Sequence, residues 1–238
     1  MLRASDFFDL DQLEHAALFE DTEYVWDALK RLSSYIDSLF TGAGREIHGD
    51  VSPGAELIGE RIYIGQGTVV ESGATIHAPA WIGQRCEVRQ GAYLRGNVLS
   101  DHGCVMGHTS EFKNAILLAD AKAAHFAYVG DSILGRDSNI GAGTKLSNLT
   151  VVSEKDRATG KRPTIHIRVE GKDYDTGLAK LGAIVGDGAQ TGCNSVTNPG
   201  CLIGPRTLIY ANVSVPKGRY PGNSMVKLRQ TLETVPRR

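Results

Sequence analysis

Branched apolar residues recur at every sixth position over much of the chain, with small and turn-forming residues between them. One unbroken series consists of Ile58, Ile64, Val70, Ile76, Ile82, Val88 and Leu94. A second series keeps the same step at Val185, Thr191, Thr197, Ile203, Ile209 and Val215. A period of six matches neither the 3.6-residue repeat of a helix nor the two-residue alternation of an ordinary strand.

The six-residue period predicts a succession of short strands joined by tight turns. Glycine directly follows three members of the first series, at Gly59, Gly65 and Gly83, and it suits turns that need positive φ. Such a chain winds into a parallel β-helix, in which each hexapeptide contributes one inward apolar side chain. The alternative fold, a glycine-rich β-sandwich, would show two-residue alternation and hairpin turns instead.

Two segments lie outside the repeat. Residues 21–40 predict an amphipathic helix with Asp21 or Thr22 as its N-cap, from apolar residues at helical spacing: Val25, Leu29, Leu32, Ile36 and Leu39. We expect this helix to cap the first coil, whose edge is otherwise exposed. The stretch TIHIRVEGKDYDTG predicts a β-hairpin that turns near Gly171 and forms an arm leaving the solenoid.

The expected organisation therefore has three parts. An N-terminal helical cap occupies residues 1–45, and the β-helix occupies residues 46–222 with the inserted arm at 151–180. Residues 223–238 form a C-terminal tail. The fold class is all-β.

Composition limits the partners. Lys and Arg number 26 against 27 Asp and Glu, so no strong field favours nucleic acid or a membrane surface. Four cysteines without a CxxC pair do not indicate a disulfide framework. No apolar run is long enough to cross a bilayer, and the N-terminal stretch MLRASDFFDLDQ is acidic rather than signal-like. We therefore expect a soluble cytoplasmic protein.

The centre of the chain carries a succession of motifs: AYLRGN, SEFKNA, AAHFAYVGD and SNIGAGTKLSN. With the six-residue repeat, they resemble the hexapeptide-repeat acyltransferases over roughly residues 50–220. They are similar to the acetyltransferase domain of bifunctional N-acetylglucosamine-1-phosphate uridyltransferase/glucosamine-1-phosphate acetyltransferase. The likeness is greater to archaeal sugar-1-phosphate nucleotidylyltransferases that carry an amino-sugar acetyltransferase domain. This resemblance implies a left-handed β-helix with three hexapeptides per coil, acetyl-CoA as co-substrate, and a homotrimer with sites between subunits.

The resemblance also implies roles for individual residues in acetyl transfer to an amino sugar phosphate or a nucleotide-linked amino sugar. His125 matches the general base, because an imidazole is largely neutral at cellular pH, and the backbone N–H of Ala142 in the GAG turn matches the oxyanion donor. Arg95 and Lys113 match the residues that hold a sugar phosphate, and Lys180 lies near a further one. The sugar hydroxyls would meet Tyr128, Asn139 and Asn148.

The coenzyme would lie along the later coils. By resemblance, Cys193 and Ala211 line the pantetheine track, where small side chains let the arm approach backbone amides. Lys227 or Arg229 would reach the phosphates of CoA. Turn geometry alone also explains small residues in a β-helix, and solvated charges or an inward asparagine ladder would explain several of the polar residues.

The chain departs from the family pattern in three places. The nucleotidyltransferase domain with its GxGTR-type loop is absent, so nucleotidyl transfer is not expected. A tyrosine that follows the GAG turn in the bacterial proteins is missing from SNL, and one archaeal basic residue is missing from GLAKLG. The acceptor therefore stays open among glucosamine-1-phosphate, galactosamine-1-phosphate and nucleotide-linked amino sugars.

Two other functions fit the same solenoid. A non-catalytic scaffold could bind sugar nucleotides without turning them over, although such a binder has no need for a base at His125. A γ-carbonic-anhydrase-like zinc enzyme would use three histidines between subunits, and the chain offers His77, His102, His108 and His125. Their spacing differs from that family's, so we expect no metal.

Overall fold

The computed structural model of the chain describes residues 2–236. Four helices come first: 3-10 helices at Ala4–Asp6, Leu10–Gln12 and Ala16–Leu18, and the α-helix α1 at Asp27–Leu39. The strands that follow are, in chain order, β1 (Glu46–Ile47), β2 (Asp50–Val51), β3 (Glu56–Ile58), β4 (Ile62–Ile64), β5 (Val69–Val70), β6 (Thr75–His77), β7 (Ala80–Ile82), β8 (Glu87–Val88), β9 (Tyr93–Leu94), β10 (Val98–Ser100), β11 (Val105–His108), β12 (Glu111–Leu117), β13 (Lys122–His125), β14 (Tyr128–Leu134), β15 (Asn139–Ile140), β16 (Lys145–Leu146), β17 (His166–Val169), β18 (Lys172–Asp175), β19 (Ala183–Val185), β20 (Gln190–Thr191), β21 (Val196–Thr197), β22 (Cys201–Ile203), β23 (Leu208–Ile209), β24 (Ser214–Val215), β25 (Gly218–Tyr220) and β26 (Met225–Val226).

All strands except β17 and β18 stack in parallel on three faces of a solenoid. The first face contains β1, β4, β7, β10, β19, β22 and β25, and the second contains β2, β5, β8, β11, β13, β15, β20, β23 and β26. The third contains β3, β6, β9, β16, β21 and β24. The two long strands β12 and β14 bend from the third face onto the first. The predicted parallel β-helix is confirmed.

The interior is a column of apolar side chains, and members of both predicted six-residue series belong to it. Ile64, Ile76 and Ile82 are completely buried in this core. Ile58 is an exception: it is 43% exposed, and Leu57 points inward beside Ile76 in its place. The assignment of Ile58 to the inward series was wrong, because the first coil contains one residue more than the next.

The coils between the two series are shorter by one residue. Strand partners there lie 17 positions apart, as for Phe112 with Val129 and Val129 with Leu146, whereas Ile76 and Leu94 lie 18 apart. A strict six-residue step fails in this region for that reason. Three of the central motifs, SEFKNA, AAHFAYVGD and SNIGAGTKLSN, lie on these 17-residue coils, whereas Tyr93 and Leu94 of AYLRGN pair with residues 18 positions later.

Helix α1 begins later than predicted. Its N-cap is Trp26, which makes no capping hydrogen bond through its side chain. Thr22 instead donates to the carbonyl of Phe19, and Asp21 adopts a left-handed conformation with φ of 55°. The predicted N-cap was therefore wrong, because residues 19–26 form turns that bury Trp26 before the helix starts.

The N-terminal segment, residues 2–40, lies along the first face instead of over the end of the first coil. The outward side chains of this face form an apolar stripe, and they share one buried cluster with residues of the segment: Leu99, Ile116, Ile133, Ile184 and Leu202. Leu32 and Ile36 of α1 are completely buried in this cluster. Exposure of this apolar stripe to water would be unfavourable, and the N-terminal segment shields it from solvent.

The predicted hairpin is present as β17 and β18, which pair antiparallel through a turn at Glu170 and Gly171. It folds back onto the first face beside the N-terminal segment instead of projecting away. Ile165 and Ile167 are buried in the same cluster, and a Cβ placed on Gly200 would lie 3.2 Å from both. Absence of a side chain at Gly200 therefore lets the hairpin dock closely.

The solenoid continues to β26, which completes the second face inside the segment expected as a tail. Residues 227–236 follow without helix or strand. In the described part of the chain, no helix combines the length and the apolar character needed to cross a bilayer.

The cover on the first face predicts a stability effect. Leu32→Ala should lower the free energy of unfolding by about 2–5 kcal/mol, the usual cost of truncating a fully buried leucine. The matched variant Ser33→Ala alters the exposed side of the same helix and should change it by less than about 0.5 kcal/mol. Urea denaturation followed by circular dichroism measures both. Equal stabilities of the two variants would show that the segment is not packed on the solenoid.

Candidate functional site

The corner between the second and third faces carries the predicted catalytic and coenzyme residues in one row. This corner column consists of Gln90, His108, His125, Ala142, Cys193 and Ala211, one from each successive coil. In each case the residue after a column member donates its backbone N–H to the carbonyl of the member one coil earlier, at 2.8 to 3.3 Å. The structure thus brings His125, Ala142, Cys193 and Ala211 together at one edge of the solenoid.

The backbone of this column presents free donors. Gly141 and Gly143 both donate backbone hydrogen bonds, but within the described residues the N–H of Ala142 between them donates none. The same holds for Cys193 and Ala211, which lie between donating neighbours. Such N–H groups are suited to bind carbonyl oxygens or a developing oxyanion.

His125 ends β13 and its side chain is exposed, next to His108 on the neighbouring coil. The His108 ring nitrogen Nδ1 lies 2.8 Å from the carbonyl oxygen of Gln90, and its ring meets that of Phe126 edge-on at 5.4 Å. The His125 side chain makes no hydrogen bond to another described residue. Its nitrogens are therefore available to a bound molecule.

Tyr128 begins the third face directly after this corner. A Cβ on Gly130 would lie only 2.5 Å from the Tyr128 hydroxyl and 2.8 Å from Asn148 Nδ2, so glycine leaves the space that both polar groups occupy. Burial raises the pKa of Tyr128, and the charges of Glu111 and Asp131 raise it further. The hydroxyl therefore stays protonated and can both donate and accept a hydrogen bond.

A buried carboxylate organises the polar groups around Tyr128. Asp131, which is 6% exposed, accepts hydrogen bonds from Asn114 at 2.9 Å and Asn148 at 2.5 Å. Lys113 Nζ lies 3.5 Å from the same carboxylate. Asn148 and Lys113 are thus held in place before any substrate binds.

Arg95 lies on the third face beside Glu111, with 2.6 Å between Nη1 and Oε1. The hydrogen bond that Arg95 donates to Glu111 and the negative charge of Glu111 raise the pKa of Arg95. Arg95 and Lys113, which are predicted to hold a sugar phosphate, are therefore assembled on one face, but each already has a carboxylate partner.

Asn139 and Lys180, the other two residues predicted to bind the substrate, lie outside the group around Tyr128. Asn139 begins β15 on the second face, between Lys122 and Gln190 of the neighbouring coils, and not on the third face with Tyr128. Lys180 is exposed and precedes Leu181, whose N–H donates to the Asn148 carbonyl. Lys180 thus borders the group around Tyr128.

The predicted coenzyme residues follow the corner column toward the C-terminus. Cys193 and Ala211 are exposed members of the column. Lys227 Nζ lies 5.2 Å from the ring centre of Tyr210, directly beside Ala211. Arg229 is exposed beyond the last strand.

Sequence reasoning missed Asp131 and Asn114, which belong to a second row at the corner between the third and first faces. This Asx column repeats every 17 residues: Asn97, Asn114, Asp131 and Asn148. Its first three members are left-handed, with φ of 47° to 50°. The 17-residue spacing was visible in the sequence but is hidden by a search for six-residue steps.

The four histidines considered as zinc ligands do not meet in one chain. His77 contacts Tyr93 on the third face, and His108 and His125 lie on the corner column. His102 lies near Glu14 and Asp101 at a different corner. Any site made of three of these histidines would need residues from another subunit.

The structure predicts unequal reactivity of the four thiols. Cys193 is exposed, while burial raises the pKa of Cys201 to about 12 and also raises that of Cys104. Cys86 is buried as well. A disulfide reagent should therefore modify one thiol of the native protein rapidly, and this reaction should vanish in Cys193→Ser. Rapid modification of two or more thiols, followed spectrophotometrically, would contradict the packing.

Comparison with known proteins agrees with this architecture. A family model described as the GMPPB C-terminal domain matches residues 76–162. The bifunctional protein GlmU of Methanococcus maripaludis strain C5 is 30% identical over 203 residues, which cover 85% of this chain and 46% of that protein. A bifunctional sugar-1-phosphate nucleotidylyltransferase/acetyltransferase of Sulfurisphaera tokodaii is 32% identical over 167 residues, or 70% of this chain and 39% of its own length.

Among solved structures, the UDP-N-acetylglucosamine acyltransferase of Francisella novicida aligns with a TM-score of 0.38 and 15% identity, over 71% of this chain and 62% of that one. The chain spans about half the length, or less, of the curated relatives that it matches. The resemblance drawn from the motifs is confirmed: over most of its length, the chain is similar to the hexapeptide-repeat part of these bifunctional sugar-phosphate proteins.

Proposed function

We propose that the protein is an acetyl-CoA-dependent N-acetyltransferase acting on an amino sugar phosphate or a nucleotide-linked amino sugar. One observation carries this proposal. The exposed His125 imidazole and the free N–H of Ala142 occupy the same corner column, next to the polar group around Tyr128. A base, an oxyanion donor and a polar acceptor site are thereby adjacent, as acyl transfer to an amine requires.

The chemistry follows from these positions. The acceptor amine attacks the thioester carbonyl carbon, a carbon–nitrogen bond forms, and His125 takes the proton that the amine loses. The Ala142 N–H stabilises the oxyanion of the tetrahedral intermediate. When this intermediate collapses, the carbon–sulfur bond breaks and CoA leaves as its thiol after receiving a proton. The products are the N-acetylated sugar and CoA.

The coenzyme would extend from Ala142 toward the C-terminal coils. Free N–H groups at Cys193 and Ala211 continue the row and suit the amide carbonyls of a pantetheine arm. Lys227 over Tyr210 and the exposed Arg229 then offer positive charge to the CoA phosphates.

The acceptor would lie over the third face. Tyr128, Asn148 and the Lys113–Asp131 pair present several donors and acceptors for hydroxyl groups. Arg95 and Lys113 supply the positive charge that an anionic acceptor needs, with Lys180 at the border. Glu111 and Asp131 already nearly balance the charge of Arg95 and Lys113. A phosphate that binds there must therefore share these cations with the two carboxylates.

The open position of the site supports a homotrimer. In the single chain, the corner column is an outer edge, and the second face exposes large apolar side chains at Val69, Leu208 and Met225. In a cyclic assembly, a face of the neighbouring subunit would lie against this edge. Asn139, which lies on the second face, would then be added to the site by that neighbour.

The first prediction of the proposal concerns His125. His125→Ala should lower kcat by roughly 10²–10⁴-fold, the usual contribution of a positioned base. The melting temperature and the trimeric mass in sedimentation equilibrium should stay unchanged, because the side chain is exposed. Steady-state release of CoA thiol with a panel of amino sugars and their phosphates measures the rates.

A matched control is His166→Ala, which removes an exposed imidazole from the hairpin, beside Asp173. It should retain full activity. A wild-type protein that binds the acceptors without releasing CoA thiol would favour the sugar-binding scaffold. Full activity of His125→Ala would remove the proposed base.

The second prediction concerns the acceptor's charge. Arg95→Ala and Lys113→Ala should each raise KM for a phosphorylated acceptor by roughly tenfold or more, with little change in acetyl-CoA saturation. Arg89→Ala is the control, because Arg89 forms a similar exposed pair with Glu87 on the second face. If KM for every phosphorylated acceptor matched that of the control, the phosphate site on the third face would be wrong.

A further inference from the structure

Three side chains of types that can ligate a metal lie close together at the corner between the first and second faces, away from the corner column. Glu14 comes from the N-terminal segment, and Asp101 and His102 follow β10 of the solenoid. One ligand atom from each residue lies within 4.8 Å of the other two. The group thus connects the segment to the solenoid surface that it covers.

Asp101 has a buried oxygen with no hydrogen-bond partner. Its side chain is 1% exposed, and its Oδ1 accepts from the backbone N–H of His102 at 2.7 Å and lies 2.8 Å from His102 Nδ1. Among the described residues, Oδ2 is buried and has no donor. A carboxylate oxygen of Glu14 lies within 4.8 Å of a carboxylate oxygen of Asp101. A buried carboxylate oxygen beside a second carboxyl group is costly unless a proton or a cation lies between them.

Turn geometry does not call for a carboxylate at this position. Equivalent residues of the two preceding coils are Gly65 and Gly83, and all three donate their N–H to the strand end of the next coil. A Cβ on Gly83 would lie 2.6 Å from the Asp101 backbone. The coil therefore changes from glycine to aspartate at the point where the N-terminal segment brings Glu14 onto the surface.

We propose that Glu14, Asp101 and His102 bind one divalent cation of the zinc type, which fastens the N-terminal segment to the solenoid. One imidazole nitrogen with two carboxylate oxygens suits zinc more than magnesium or calcium. Ligands of one zinc ion lie about 2 Å from it, so the group must contract slightly on binding. Glu14 is the exposed member and can make this movement.

Neighbouring groups are compatible with a cation there. The Arg85 guanidinium donates a hydrogen bond to the side chain of Gln84 at 3.3 Å. His15, next to Glu14, is 2% exposed and bonds Tyr35 through Nδ1.

Zinc titration of chelator-treated, dialysed full-length protein tests the proposal. Calorimetry should give one zinc ion per chain, and saturating zinc should raise the melting temperature. Glu14→Gln should weaken zinc binding at least tenfold, and His102→Gln should abolish it. The matched variant Glu20→Gln alters an exposed carboxylate of the same segment and should bind like wild type. Magnesium should not replace zinc.

Hydrogen exchange adds a readout that does not depend on activity. Zinc should slow exchange in residues 10–20 of the wild type and of Glu20→Gln, but not of Glu14→Gln. No zinc binding at about 100 μM, or equal binding by all variants, would overturn the proposal. A wild-type protein that does not respond to zinc, together with a Glu14→Gln protein that is as stable as wild type, would show that the two carboxyl groups share a proton instead.

Discussion

Parallel hydrogen bonding between successive coils is the constraint on which the rest of this structure depends. Neighbouring strands lie about 4.8 Å apart, so the residues at the same position of successive coils form a row along the solenoid. The inward isoleucines, the corner column and the Asx column are three such rows. A site built from rows needs no loop to close around it, because His125, Ala142 and Cys193 are held by the same backbone bonds that hold the fold.

The first face differs from the other two because other parts of the chain pack on its outward side. Its outward residues Leu99, Ile116, Ile133, Ile184 and Leu202 are as buried as the core, since residues 2–40 and the hairpin cover them. Asp187 fixes one part of this cover by accepting the backbone N–H groups of Asp9 and Arg136, both at 2.8 Å. With the first face occupied, a ligand or a neighbouring subunit can approach only the second and third faces. The proposed site lies on the edge that those two faces share.

Sequence periodicity was sufficient for the solenoid and the hairpin, because each depends on local spacing and turn residues. It failed where one residue is added or removed, at Ile58 and in the 17-residue coils, since a six-residue search assumes a constant step. The place of α1 could not be predicted, because an amphipathic helix fits the end of the solenoid and an outward apolar stripe equally well. Among the site residues, motif resemblance identified His125 and Tyr128 but not Asp131. Its role as acceptor for Asn114 and Asn148 depends on contacts between coils.

Charge balance on the third face bears on which acceptor the site selects. Arg95 with Glu111 and Lys113 with Asp131 form two pairs of opposite charge. The carboxylate of Asp131 is the more deeply buried, and two asparagine amides satisfy it, so it stays in place when a ligand arrives. Arg95 and Glu111 are both partly exposed and can separate at little cost. A phosphate would therefore displace Glu111 from Arg95 more readily than Asp131 from Lys113. On the proposed function, Arg95 would then be the first of the two cations to exchange its carboxylate for an anionic group, and Lys113 would bind that group while it stays beside Asp131.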